Sequence, residues 1–379
     1  MALNRLRQRD IQMGSPLPWD TFDAEGRLLL CQGSVVDNEE QLERLIRRGL
    51  FIDVPSPDDP AVAGIAQPPA ERERIAIFEM LDQVRTALQA LLQRSVAANF
   101  SEDIVGLADR LQSACEIDAD AALASAMLFR TQPYSIRQQC NTAVISEMMC
   151  RQLDWTRERR VPVVAAALTM NISMLKLQDG LYHQGTPLDD VQRAAIREHP
   201  AQSVAQLEQL GVSDLDWLNA IAQHHEALDG SGYPAALKGD DIVTQARIIA
   251  IADKYCAIIA ERGYREGAPA DVAVRRMLAA HGTGLDTQLT ARLIREVGIF
   301  PPGTPVELNN KEIGIVVRRT LDPRHPVIRA VISAQGSSLR GFPERLTSTP
   351  AFTVRSAVDR NRLGPEFDPV PLWSPDANE

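Results

Sequence analysis

Apolar residues recur at helical spacing between about residues 70 and 300, and this pattern limits the fold more than any other feature. Side chains three and four positions apart lie on one face of a helix, so each apolar stripe predicts a helix packed against its neighbours. The stripes between residues 70 and 130 are Ile77, Met80, Leu81, Val84, Leu88 and Leu91, then Ile104, Leu107 and Leu111. Further helices are predicted over 135–153, 161–175, 188–210, 214–225 and 243–262.

The two ends of the chain have a different period. A Glu25-Gly26 turn lies between two apolar segments, and a short helix is predicted over 38–49. After residue 302 apolar segments of strand length appear, with Asn309-Asn310 as a hairpin turn. The prediction is a mainly α fold, a helical bundle with a small N-terminal α+β unit and a small C-terminal antiparallel β-appendage. The predicted boundaries are 1–55 (α+β unit), 56–69 (linker), 70–130 (helical segment), 131–300 (helical domain), 301–358 (β-appendage) and 359–379 (disordered tail).

Charge and cysteine usage narrow the class of protein. The net charge of −10 over 379 residues argues against nucleic acid or an anionic membrane as the main partner. The N-terminus lacks the apolar core of a signal peptide, and the longest apolar run, Val161–Leu168, is too short to span a membrane. We therefore expect a cytoplasmic protein with reduced thiols. Residues 70–130 contain no cluster of titratable side chains, and we expect them to act as a scaffold or an oligomer interface. The cysteines are Cys31, Cys115, Cys140, Cys150 and Cys256, with no CxxC pair.

One stretch concentrates residues that suit chemistry. His224-His225-Glu226 closes a predicted helix, and the loop Asp229–Pro234, with the sequence DGSGYP, follows at once. Its glycines permit a close backbone approach, and its proline restricts the exit from the loop. A histidine pair followed by such a loop suits a metal and phosphate site. When this stretch is considered alone, a helix-capping turn with surface histidines explains it equally well.

The stretch resembles the signature of the HD-GYP family, including the Leu-x-Gly that follows at Leu237 and Gly239. The resemblance covers roughly residues 130–300. It implies an all-helical domain that holds divalent metals on histidines and aspartates from several helices. Members of the family are metal-dependent phosphodiesterases that linearise the bacterial second messenger cyclic di-GMP.

The resemblance also implies which residues would bind metal, and several of them are replaced. One metal of the family is held by an early histidine, the His-Asp pair and a late aspartate, while the other uses the bridging aspartate and three later histidines. The residues that match are His199, His224, His225 and Asp253. The replaced positions are Gln138 for the early histidine, Met170 and Asn171 for the His-Asp pair, and Met174 for a lysine.

These replacements predict a weakened catalytic site. A thioether and a carboxamide are poor ligands for a hard divalent ion, so a two-metal site is not expected. Three imidazoles still suffice for one ion of iron, manganese or zinc; the alternative is a pocket that holds no metal. No catalytic residue is assigned. The loop retained beside the altered pair, Asp229, Gly230, Ser231, Gly232, Tyr233 and Pro234, is expected to contact a nucleotide or a protein partner.

Three functions stay open at this point. The first is a degenerate member that binds cyclic di-GMP or a diguanylate cyclase-type or other signalling protein. The second is a one-metal phosphodiesterase acting on cyclic di-GMP or a related phosphoester, and the third is a non-catalytic scaffold. Arg247, Lys238 and Lys254 are candidate phosphate-facing cations, although each is more often a surface charge. His183, His281 and His325 are expected at the surface.

Overall fold

The computed structural model describes residues 2–5, 21–22, 28–30, 51–54, 71–93, 98–128, 131–260, 268–279, 284–320, 322–364 and 367–373. The chain divides into two compact units, Met1–Pro68 and Pro69–Glu379. The described part of the first unit is a four-stranded antiparallel sheet of order β1-β4-β2-β3. The strands are β1 (Ala2–Arg5), β2 (Thr21–Phe22), β3 (Leu28–Leu30) and β4 (Phe51–Val54).

The strands β2 and β3 pair antiparallel on either side of the predicted Glu25-Gly26 turn, with Thr21 opposite Leu30. The predicted short helix over 38–49 and the predicted linker both lie outside the described residues. The same holds for Cys31 and His281.

Eleven helices are described in the second unit, and they confirm the mainly α fold class. Those before residue 170 are α1 (Glu71–Leu92), α2 (Phe100–Ile117), α3 (Ala119–Leu128), α4 (Tyr134–Arg151) and α5 (Arg157–Thr169). Those after it are α6 (Leu175–His183), α7 (Asp190–Gln209), α8 (Leu215–Gln223), α9 (Thr244–Ile259), α10 (Ala270–Ala279) and α11 (Thr287–Val297).

The core of the bundle lies around α4 and α5, which are buried on almost every side. Residues 163–168 of α5 are completely buried, as a helix surrounded by others requires. By length and composition alone, the segment Arg157–His183 could cross a membrane, but it is 56% buried within the fold. It also consists of α5, a short 3-10 turn (Ile172–Met174) and α6 rather than one continuous helix. We therefore assign it to the core of the bundle.

Side-chain caps and one tertiary hydrogen bond fix the helices that carry the site. Asp189 and Gln192 form a reciprocal capping box at the start of α7. Asp214 caps α8 by accepting from the backbone N–H of Trp217 at 2.9 Å. The indole of Trp217 donates to Thr169 Oγ1 at 2.9 Å, so α8 is joined to the last residue of α5.

Several predicted boundaries differ from the structure. The predicted helix over 161–175 is two helices, because α5 ends at Thr169 and the chain turns at Asn171 before α6 begins. The predicted helix 214–225 ends at Gln223, which leaves both adjacent histidines beyond its last turn. Neither α10 nor α11 was among the helices predicted from the apolar spacing.

The C-terminal β-appendage is a five-stranded antiparallel sheet of order β8-β7-β6-β5-β9. Asn309-Asn310 does form the turn of the β5–β6 hairpin, where Lys311 N donates to Leu308 O at 2.9 Å. The strands are β5 (Pro305–Leu308), β6 (Ile313–Arg318), β7 (Val327–Ile332), β8 (Glu344–Leu346) and β9 (Val354–Ala357).

The expectation of a disordered tail is wrong for its described part. Residues Val370–Trp373 form a 3-10 turn in which Leu372 and Trp373 are buried. The Trp373 ring meets Phe78 of α1 edge to face, with centroids 5.1 Å apart. Burial of this apolar pair outweighs the proline-rich, acidic composition from which disorder was predicted.

Candidate metal centre

Three histidines converge in the interior of the bundle. His199 lies in α7, and His224 and His225 follow the last turn of α8. One ring nitrogen from each of the three lies within 4.8 Å of the others. The Nε2 atoms of His199 and His224 are 3.2 Å apart. Among the described residues, this is the one group of three or more such side chains that could hold an ion.

The orientation of His199 follows from the proline after it. Pro200 has no backbone N–H, so the carbonyl of Ile196 lacks the donor that an α-helix would supply. His199 Nδ1 lies 2.6 Å from this carbonyl oxygen. A carbonyl only accepts, so Nδ1 carries the proton and Nε2 presents a lone pair to the site.

His224 is oriented in the same way by a helix end. The last carbonyls of a helix lack intrahelical donors, and His224 Nδ1 lies 2.6 Å from the carbonyl oxygen of Ile221. Its Nε2 atom therefore also carries a lone pair, directed toward that of His199 at 3.2 Å. Two facing lone pairs repel each other, and a shared cation between them removes this repulsion.

Burial keeps the three imidazoles neutral, which is the form that binds metal. Burial and the neighbouring His224 lower the pKa of His199 to about 3. Burial and His199 lower the pKa of His225 to about 3 as well. The pKa of His224 is also lowered, first by burial and then by His225. The donor set fits one divalent ion.

The fourth residue of the predicted metal set, Asp253, is placed elsewhere. Its Oδ1 atom accepts a 2.8 Å hydrogen bond from Nε2 of Gln138, which also donates to the Asp253 carbonyl at 3.1 Å. The structure thus joins Gln138 of α4 to Asp253 of α9 by a direct amide–carboxylate hydrogen bond. Asp253 does not belong to the histidine group.

The other replaced positions have separate environments. Met170 is completely buried within the apolar core. Asn171 is buried and its Oδ1 atom has no hydrogen-bond partner among the described residues. Met174 and Asn171 both border a cavity of about 500 Å³, here called the inner cavity. Its wall also includes Gln138, His225 and Asp253.

The loop after the histidines is held by the adjacent glutamate. The Glu226 carboxylate accepts from the backbone N–H groups of Ala235 at 2.6 Å and Leu237 at 2.9 Å. A Cβ atom at Gly232 would lie 2.3 Å from the backbone nitrogen of Ala227, so only glycine fits there. Glu226 was not among the predicted site residues, although its position in the His-His-Glu sequence was a signal for it.

This loop brings one side chain into the inner cavity. The Tyr233 ring stacks on His225 with centroids 4.8 Å apart, and it borders the cavity. Burial raises the pKa of Tyr233, and the nearby Asp253 charge contributes. The side chains of Asp229, Ser231 and Pro234 are exposed, with Asp229 Oδ1 accepting from Ser231.

The described residues that line the inner cavity do not include the predicted phosphate-facing cations Arg247, Lys238 and Lys254. Arg247 forms ion pairs with Asp240 at 3.1 Å and Asp286 at 3.6 Å, which explains its position without a phosphate. His183 is exposed as predicted, and His325 is half-buried against the carbonyl of Thr347. Aromatic residues missed by the sequence analysis, Tyr134 and Tyr182, border the cavity instead.

A family model described as "HD domain" matches residues 122–289, which contain the histidine group, Gln138 and Asp253. This part of the chain is similar to HD domains. Curated relatives of the HD domain include phosphodiesterases of cyclic dinucleotides, and the resemblance to the HD-GYP family is confirmed.

The matched relatives are longer than the region they share with this chain. "Cyclic di-GMP phosphodiesterase PA4108" of Pseudomonas aeruginosa is 26% identical over 277 residues, 71% of this chain and 63% of the relative. "3'3'-cGAMP-specific phosphodiesterase 3" of Vibrio cholerae is 32% identical over 45% of this chain and 36% of its own length. A solved structure, the HDG"Y"P protein Bd1817 from Bdellovibrio bacteriovorus, is 16% identical with a TM-score of 0.49, covering 77% of this chain and 98% of that one.

Proposed function

We propose that this HD domain binds cyclic di-GMP beside one divalent metal ion and hydrolyses the nucleotide poorly or not at all. The observation that carries the proposal is the hydrogen bond between Gln138 and Asp253. It occupies the two positions where the family pattern has ligands of one of its metals. Hydrolysis with two metals uses a water molecule that is activated between the ions, and both ions neutralise the charge of the phosphate. A single ion contributes less to each of these effects.

The residues that would hold the single ion are His199, His224 and His225. Their neutral state and the facing Nε2 atoms support iron, manganese or zinc as the metal. The Oδ1 atom of Asn171, which has no hydrogen-bond partner within the described part of the chain, is a further oxygen ligand beside the inner cavity. A bound ion would attract the phosphate and polarise its P–O bonds. The names of the relatives support a cyclic dinucleotide as the ligand.

Such a protein would transmit the signal by binding another protein. Asp229, Ser231 and Pro234 are exposed, while Tyr233 of the same loop borders the cavity. A ligand that contacts Tyr233 would therefore alter the loop that a partner meets. A diguanylate cyclase-type or other signalling protein is the partner class that we propose.

A second candidate function is a one-metal phosphodiesterase acting on cyclic di-GMP or a related phosphoester. The observation in its favour is the arrangement of the histidines, because both Nδ1–carbonyl contacts hold Nε2 atoms in place for an ion. The relatives named as phosphodiesterases point in the same direction.

Metal content and nucleotide affinity of the full chain test the first proposal. After loading with Mn²⁺, plasma mass spectrometry should find about one ion per chain, and calorimetry should detect cyclic di-GMP binding. His224→Ala should lose the ion and weaken binding, whereas the matched variant His325→Ala, in the β-appendage, should keep both. Two ions per chain, or no binding of cyclic di-GMP by the wild-type protein, would contradict the proposal.

A further inference from the structure

Two stacked tyrosines border both the inner cavity and a second one. The rings of Tyr134 and Tyr182 have centroids 4.8 Å apart and an interplanar angle of 22°. The second cavity, here called the outer cavity, has a volume of about 500 Å³ and is bordered by both tyrosines together with Arg137, Asp179 and His183. Tyr134 is buried and Tyr182 is half-buried, and the two rings border both cavities together with polar side chains.

Arg137 borders the outer cavity and also a third cavity of about 300 Å³. Its guanidinium carbon lies 5.5 Å from the centroid of Tyr182 and 6.0 Å from that of Tyr134. Its Nε atom is buried and, within the described part of the chain, lacks a hydrogen-bond partner. A buried donor without an acceptor is costly, so an acceptor supplied by a ligand would stabilise this side chain.

Asp179 supplies an acceptor in the same cavity. Its two carboxylate oxygens accept from the backbone N–H of Ser135 at 2.8 Å and from the Ser135 hydroxyl at 2.9 Å. Each oxygen keeps a second lone pair. Asp179 and Arg137 share the cavity, yet they form no ion pair within 4.0 Å. A donor and an acceptor are thus held apart beside an aromatic ring.

We propose that the outer cavity is a subsite for a guanine base. The base would stack on Tyr182, its O6 and N7 atoms would accept from Arg137, and its N1–H and N2–H groups would donate to Asp179. Adenine has an amino donor where guanine has O6, so it would face the donors of Arg137 and bind more weakly. This subsite rests on the proposed function, because it defines how one half of cyclic di-GMP is recognised.

The position of the outer cavity suits a ligand that also reaches the metal centre. Tyr134 precedes Gln138 by four residues in α4, which is about one turn, or roughly 5–6 Å along one helix face. Gln138 borders the inner cavity together with His225. A base beside Tyr182 would therefore leave its sugar and phosphate directed past Tyr134 into the inner cavity.

Affinity measurements on the full chain loaded with Mn²⁺ test the subsite, with cyclic di-GMP and cyclic di-AMP as the probes. Tyr182→Ala should raise the Kd for cyclic di-GMP about fivefold to 150-fold, as loss of one base stack predicts. Tyr182→Phe keeps the ring and should stay within about twofold of the wild type. Arg137→Gln should weaken cyclic di-GMP binding about tenfold, while cyclic di-AMP should bind at least as tightly as to the wild type, because a glutamine amide can pair with N6 and N7 of adenine.

Arg159→Gln is the matched control, because the Arg159 guanidinium lies 4.0 Å from the centroid of Trp155 and borders neither cavity. It should bind both probes as the wild type does. Wild-type binding with unchanged affinity in Tyr182→Ala and Arg137→Gln would overturn the guanine subsite and leave the proposed function standing. Failure of the wild-type protein to bind cyclic di-GMP would overturn both.

Discussion

The side-chain amide of Gln138 donates a 2.8 Å hydrogen bond to the carboxylate of Asp253, although 115 positions separate the two residues in the chain. A neutral amide here satisfies a carboxylate that a cation would otherwise balance. Both residues border the inner cavity, which His225 of the histidine group also borders. It gives a structural reason to expect one metal ion rather than two.

Restoring the missing ligands should therefore require Gln138 to change. We predict that Gln138→His with Met170→His and Asn171→Asp raises the metal content from about one ion per chain to two, measured by plasma mass spectrometry. Met170→His with Asn171→Asp alone should stay near one ion, because Gln138 still binds Asp253. Since Met170 is completely buried, both variants should lose about 1–3 kcal/mol of stability. Two ions in the double variant would refute this reasoning.

The loop after the histidines should tolerate no side chain at Gly232. A Cβ atom there would meet the backbone of Ala227 and of Glu226 at 2.3–2.6 Å, so the loop must move. Gly232→Ala should lower stability by about 1–3 kcal/mol and weaken nucleotide binding, because Tyr233 leaves His225. Gly180→Ala, an open helical position, is the control and should be neutral or stabilising. Equal Tm values for the two variants in thermal unfolding would contradict this prediction.

Local patterns predicted the elements but not the contacts that define the site. Most of the apolar stripe predicted for α1 is buried, because helical spacing determines which side chains face a core, although Met80 is only partly buried and the buried Phe78 was missed. The break between α5 and α6 was missed because the apolar pattern continues through Ile172. That turn is held by tertiary hydrogen bonds, with Ser173 Oγ 3.1 Å from the His199 carbonyl and 2.9 Å from Ser203 Oγ.

The same distinction applies to the site. The histidines were identifiable from their motif, and the structure brings all three together. The pairing of Gln138 with Asp253, and the cluster of Arg137, Tyr134 and Tyr182, could not be predicted, since no periodicity links positions on different helices.

The buried histidines should make the metal-free protein sensitive to acid. Below about pH 6.5 the unfolded chain protonates His199 and His225, whereas the folded chain does so only near pH 3. The unfolded state then binds more protons, so the free energy of unfolding falls as the pH falls. When the pH is lowered from 7.5 to 5.5, His199 and His225 together should reduce the free energy of unfolding by about 3 kcal/mol, which lowers the Tm by roughly 5 °C. If His199→Asn with His225→Asn showed the same fall in Tm, the burial argument would fail.

The described part of the C-terminal tail should contribute to stability through one side chain. Trp373 is 4% exposed and packs edge to face on Phe78. Trp373→Ala should lower the free energy of unfolding by about 3–5 kcal/mol, measured by denaturant titration. Leu346→Ala, at a side chain that is 56% exposed, should change it by less than about 0.5 kcal/mol. A similar small change in both variants would mean that the tail does not pack on α1.

Turnover of cyclic di-GMP by the purified chain tests the central claim most directly. The assay supplies Mn²⁺ or Fe²⁺, resolves linear and cyclic products by chromatography, and runs His224→Ala in parallel. Our account predicts little or no linear product from the wild type, together with measurable binding of the cyclic nucleotide. Rapid formation of linear product that disappears in His224→Ala would contradict it and establish the one-metal phosphodiesterase instead.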